Sequence, residues 1–187
     1  DRLDKSAANR EYSHLILLCE NNTGYQNLMK LVSEGFLTGY YYRPRIDYNL
    51  IRQHSEGLIC LSACLSGDLP KLLLQGRYDD AEAYVREMQD IFGEKNFYVE
   101  IMDHGIREEK IVMPRLISLA REMNVPLVAT NDCHYLEEKD ADAQEVLLCI
   151  QTGKTVDDEN RMRYEPQNFY LRSTEEMEAL FAGYPDA

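Results

Sequence analysis

Five short apolar runs that do not alternate with polar residues constrain this chain most: His14 to Cys19, Gly57 to Ser62, Asn96 to Ile101, Pro126 to Thr130 and, more weakly, Phe169 to Arg172. Each is short, rich in aliphatic or aromatic side chains and bounded by polar residues, and so reads as a strand buried on both faces. Between them lie longer stretches with helical spacing, Tyr25 to Leu37, Tyr78 to Phe92, Glu108 to Asn124 and Ala141 to Thr152, with Glu175 to Ala182 at the end. Repeated strand then helix predicts an α/β fold with parallel strands joined by right-handed crossovers, in a barrel or a doubly wound sheet.

The helix ends are legible too. Thr23 is placed to cap the first helix, Ser173 with Glu176 forms a capping box for the last (Thr174 with Met177 is a weaker start), and Gly93 and Gly153 are stops. Ile111, Val112, Leu116, Leu119 and Ala120 make a core-facing stripe, broken by Pro114 near the start of the pattern. The longest polar stretch, residues 154 to 168, reads as a solvated surface excursion with Arg161 and Arg163 exposed.

With 187 residues and 44% hydrophobic content, the chain is long enough for one compact domain. Its formal net charge of −13 repels phosphate at long range, which argues against a free-standing, non-specific DNA-binding module. No apolar run approaches the ~18 residues needed to span a bilayer, and the opening residues lack the basic-then-apolar order of a secretory signal. A soluble, cytoplasmic protein without membrane contact is expected. The cysteines at 19, 60, 64, 133 and 149 form no CxxC pair, which suits free thiols in a reducing compartment. Cys19, Cys60 and Cys149 lie in apolar stretches and are expected to be buried structural thiols.

In parallel α/β folds reactive groups gather at the carboxyl ends of strands. Asp132 and His134 follow the fourth apolar run two residues apart, on one side of the chain if it stays extended; Cys64 follows the second run on a turn, and His14 opens the first. Carboxylate, imidazole and thiolate together suit zinc or a similar divalent ion. Singly, each also reads as an ordinary structural residue: a half-buried strand histidine, an inert thiol, a hydrogen-bonded turn. His104, after the third run, is a further candidate for ligation or proton transfer, or else a loop histidine partnered by Asp103. Arg43 and Arg45 in YYYRPRID could hold phosphate or stack bases; the alternative is packing and ion pairing.

Taken as strings, HLILLCENNTGYQNLMKLVSEGF, YYYRPRID, GLICLSACLSGDLP, FYVEIMDHGIREEK, PLVATNDCHYL and LLCIQTGKT resemble bacterial DNA polymerase III alpha subunits, in the family's order, from about Glu11 to Met177. The region concerned is the family's polymerase and histidinol phosphatase (PHP) domain. The resemblance implies a partial distorted (β/α) barrel of PHP type, residues 1–187, lacking its first strands, with an exposed edge that favours oligomerisation or rearranged packing. It implies metal-ligand positions at His14, Cys64, Asp132 and His134, and zinc, manganese or magnesium as cofactor in a site left incomplete without the amino-terminal HxH strands. Retained ligands imply a metal-dependent phosphoesterase associated with 3′ to 5′ exonuclease proofreading. The alternative is a non-catalytic scaffold that steadies the polymerase and docks a separate proofreading subunit. Polymerase palm, fingers and thumb would follow residue 187, so this segment does not itself polymerise DNA; the implied partners are DNA and the other holoenzyme subunits. A free-standing amino-acid-phosphate phosphatase of the wider superfamily is weakened by YYYRPRID and LLCIQTGKT.

Overall fold

The computed structural model describes residues 1–6 and 12–187, leaving Glu11, where the resemblance begins, outside the described residues. The apolar runs become β1 (Ile16–Cys19), β2 (Leu58–Leu61), β3 (Phe97–Ile101) and β4 (Leu127–Ala129), adjacent in that order in one open sheet. Around them lie α1 (Asn22–Leu37), α2 (Tyr48–Gln53), α3 (Asp68–Leu74), α4 (Tyr78–Phe92), α5 (Arg107–Glu122), α6 (Ala141–Thr152) and α7 (Thr174–Leu180). This open α/β arrangement is that of a partial barrel.

The core forms where both faces of the sheet are covered. Leu58, Cys60, Phe97, Val99 and Ile101 on the two central strands are fully buried, as are Val85 and Met88 of α4 and Leu119 and Ala120 of α5. At roughly 1.5–3 kcal/mol per large apolar side chain removed from water, this cluster is the main stabilising mass of the fold. β2–β3 and β3–β4 pair in parallel, as the strand-helix alternation predicts.

β1 departs from that expectation twice. It pairs antiparallel with β2, Ile16 opposite Leu61 and Cys19 opposite Leu58, because an apolar run specifies burial and not chain direction. Its side chains are also largely open, with Ile16, Leu18 and Cys19 all exposed, so Cys19 is not the buried thiol expected, whereas Cys60 and Cys149 are. The reason is position: β1 is an edge strand, and being apolar does not supply a second neighbour. Phe169 to Arg172 forms only an isolated bridge, Tyr135 to Tyr170, rather than a strand.

Helix ends follow local chemistry with two corrections. Asn21, not Thr23, caps α1 by accepting the Gly24 N–H, and Pro114 sits in the middle of α5, which continues through it. Ser173 and Glu176 form the expected capping box, and Gly93 and Gly153 are the C-caps of α4 and α6. Ile111 lies outside the buried stripe.

Candidate functional site

The carboxyl ends of β2, β3 and β4 open on the same side, and their loops carry the candidate residues. Past β2 the chain turns sharply through Ala63, whose φ of 65° is left-handed, and delivers Cys64. His14 pairs with Gly67 of the same turn, its backbone N–H donating to the Ser66 carbonyl at 3.0 Å. That places His14 Nδ1 3.7 Å from Cys64 Sγ. Two ligands of one zinc, at about 2.1 Å for nitrogen and 2.3 Å for sulfur in tetrahedral geometry, stand about 3.6 Å apart. The pair therefore fits one edge of a metal site.

Past β4, Asp132 takes φ of 39°, a turn that aspartate tolerates better than most side chains. His134 is held by its own loop: Nδ1 lies 2.7 Å from the Asp132 carbonyl oxygen and its backbone N–H donates to Phe169 O at 2.8 Å. Nδ1–H donating to a carbonyl leaves Nε2 with the lone pair, the arrangement usual for a ligating imidazole. The His134 ring also packs against Tyr164 and Phe169, with centroids 4.6 Å and 5.1 Å away.

Electrostatics tie the two loops together. Burial pushes the Cys64 thiol up, and the Asp132 carboxylate adds to it. Burial likewise raises Tyr164, with Asp132 and then Cys64 adding to it. Glu100 is raised by burial, with Asp132 again contributing. Burial is the main cause of all three shifts and Asp132 adds to each, which sets the three groups around one electronegative hollow where a divalent cation would oppose the shifts. Among the described residues, however, no three His, Cys, Asp or Glu side chains stand together as a ready ligand set. His14 with Cys64 is a donor pair that needs further donors, while Asp132 and His134 share a loop in which the contact runs from the imidazole to the Asp132 backbone carbonyl.

His104 adjoins this hollow but is committed to other partners. It is buried, stacked on Phe169 at 4.2 Å, and both ring nitrogens are engaged, Nδ1 with Glu109 Oε1 at 2.8 Å and Nε2 with Asn131 O at 2.7 Å. Its partner is Glu109, not Asp103, and neither nitrogen is left for ligation. The Asn131 carbonyl accepts from Nε2–H, and a carboxylate beside Nδ1 favours the protonated ring. Burial opposes that charge, but the bonds to Glu109 and Asn131 outweigh it and raise the imidazole above its ordinary 6.5. A raised folded value contributes stability that is complete below pH 6.5 and is lost as pH rises through the folded value. Stability is thus expected to fall above pH 6.5 more steeply in the native protein than in His104→Gln, as urea unfolding at a series of pH values would show; parallel curves would contradict the pairing.

The arginines divide. Arg45 is buried and donates to the backbone carbonyls of Gly39, Arg2 and Asp4, so it braces the chain rather than meeting phosphate; a buried guanidinium must be spent on such partners. Arg43 is exposed over the Tyr12 ring, 5.2 Å from its centroid, and stays available. Arg161, expected in solvent, is instead half-buried in an ion pair with the buried Glu145 of α6. That pair folds the 154–168 segment back so that Tyr164 reaches His134.

Glu100 and Tyr164 are the residues that sequence reasoning missed. Tyr164 had no local signal, but a lone carboxylate inside the apolar run FYVEI was one.

A family model described as PHP domain matches residues 3–104. The chain is 51% identical over 187 residues to DNA polymerase III subunit alpha of Treponema pallidum, covering 99% of this chain and 16% of that protein. It is 48% identical over 174 residues to the Borreliella burgdorferi subunit (93% and 15%) and 47% identical over 169 residues to that of Thermus aquaticus (90% and 14%). It thus spans only 14 to 16% of the length of these relatives.

Proposed function

The chain belongs to the PHP domain family, and we propose that it is part of a replicative DNA polymerase III alpha subunit in which it contributes to a divalent-metal phosphoesterase site acting on 3′ ends of DNA. The observation that carries this reading is the 3.7 Å approach of His14 and Cys64 beside a loop that presents Asp132 and a correctly oriented His134. His14, Cys64, Asp132 and His134 would hold the cation, with remaining donors from elsewhere in the whole protein. Bound metal supplies a water of lowered pKa and charge neutralisation at phosphate. The chain's own residues fix the donors: the Ala63 turn aims Cys64, the Asp132 carbonyl sets the His134 tautomer, and Tyr164 and Phe169 wall the imidazole from solvent. Exposed Arg43 is a candidate for phosphate contact, and DNA and other holoenzyme subunits are the proposed partners.

The full-length protein, incubated with 3′-labelled single-stranded DNA, tests this. Release of 3′ nucleotides that stops with chelator and returns with manganese or zinc is expected; a folded protein inert under every metal would contradict it. One observation favours a second reading. The absence of a three-donor group among the described residues suits a scaffold that docks a separate proofreading subunit. Such a protein would bind that subunit equally well with and without chelator.

A further inference from the structure

Glu100 has no business in the middle of a buried strand on packing grounds alone. Its neighbours Val99 and Ile101 are fully buried and apolar, Glu100 itself is 4% exposed, and a buried carboxylate is unfavourable unless its oxygens find donors. They do, one in each of the two loops that carry the candidate ligands. Oε2 accepts the Ala63 N–H at 2.6 Å and Oε1 accepts the Thr130 hydroxyl at 2.9 Å. The Glu100 backbone N–H in turn donates to Ser62 Oγ at 2.9 Å.

Ala63 immediately precedes Cys64, and Thr130 lies two residues before Asp132. From the central strand β3, one carboxylate therefore grips the loop after β2 and the loop after β4. Ala63 holds a left-handed φ that an alanine rarely adopts unaided, and the Glu100 oxygen is the group receiving its N–H there.

We infer that Glu100 is a positioning residue that sets the separation of the Cys64 loop from the Asp132–His134 loop and so the geometry of the ligand set. It does not touch the metal or the substrate; it acts through Ala63 and Thr130. The metal part of this inference rests on the phosphoesterase reading, whereas the loop geometry stands without it.

Two replacements separate a clamp from mere filling. In Glu100→Gln the amide oxygen can still accept from Ala63 while its NH2 donates to a rotated Thr130 hydroxyl, so both grips survive without the charge. In Glu100→Leu both are lost. The experiment uses the full-length protein, with zinc affinity by competition and, in metal-free protein, the peptide-resolved alkylation rate of Cys64. Glu100→Gln is expected to keep both within about threefold of the native values. Glu100→Leu is expected to lose about 10- to 100-fold in zinc affinity, the usual effect of removing a partner that orients ligands, and to change the Cys64 alkylation rate several-fold. Thr130→Val, which removes one grip and conserves shape, is expected to weaken zinc binding while leaving Cys64 alkylation native, and it carries the test should Glu100→Leu fail to fold. Native zinc affinity and native Cys64 reactivity in Glu100→Leu, or equal damage from Gln and Leu, would overturn the inference. If the native protein binds no zinc, the phosphoesterase reading fails by itself, and the Cys64 rates of the Gln and Leu variants still decide the clamp.

Discussion

Replacing Asp132 by asparagine in the full-length protein is expected to lower metal-dependent 3′ hydrolysis by more than about a hundredfold, since even the loss of outer partners of a metal site costs 10- to 100-fold. Asparagine is the right substitution because the backbone at Asp132 has φ of 39°, which asparagine adopts readily and alanine does not. The turn therefore survives and only the anion is removed. A second readout needs no metal. Asp132 helps hold the Cys64 thiol, Glu100 and Tyr164 above their ordinary values, so its neutralisation should move the pH profile of Cys64 alkylation to lower pH. An unmoved profile would mean that Asp132 and Cys64 do not share a hollow, and unchanged hydrolysis would place the nuclease chemistry elsewhere.

Gly24→Ala is expected to destabilise the fold by about 3 kcal/mol or more, the range in which backbone is forced apart. A Cβ at Gly24 would fall 1.8 Å from the Gly57 carbonyl oxygen and 2.5 Å from its carbon, and both are main-chain atoms that cannot rotate aside. This is the seam where α1 docks on the entry to β2: the Asn21 side chain caps Gly24, Asn27 Nδ2 donates to Glu56 O at 2.9 Å, and the Glu20 N–H donates to Gly57 O at 2.9 Å. Separating the two would pull β1 from β2 and disturb the His14 end of the candidate site as well. Chemical unfolding measures the effect, with Gly183→Ala, which has open space around it, as the control. A loss under about 1 kcal/mol would show that the seam yields.

How much of this was legible in the sequence follows from what each signal encodes. The four strands fell within the apolar runs and α4 and α6 fell on their predicted bounds, because burial and helical spacing are local properties. Strand direction is not, and β1 turned out antiparallel and exposed although its composition matches that of β2. The short α2 and α3 escaped since six or seven residues carry barely two turns of pattern. Arg161 read as a surface cation, and for Arg45 phosphate contact and packing both stayed open, because nothing nearby in sequence announced Glu145, Gly39 O or Arg2 O as partners. At the site, the residues beyond strand ends were visible one by one, and the loops bring His14 to Cys64 as a pair. The Glu100 bridge between those loops depends on three strands being neighbours, which only the fold supplies.

The most direct test of the metal site is a cobalt(II) titration of the full-length protein followed in the near ultraviolet, where a thiolate bound to cobalt absorbs by charge transfer. A coordinating thiol is deprotonated on binding, whereas burial holds the free Cys64 thiol neutral, so the band reports ligation by sulfur. A saturable band in the native protein that disappears in Cys64→Ser is the predicted result. A folded native protein without the band, or a Cys64→Ser variant that keeps it in full, would contradict the account.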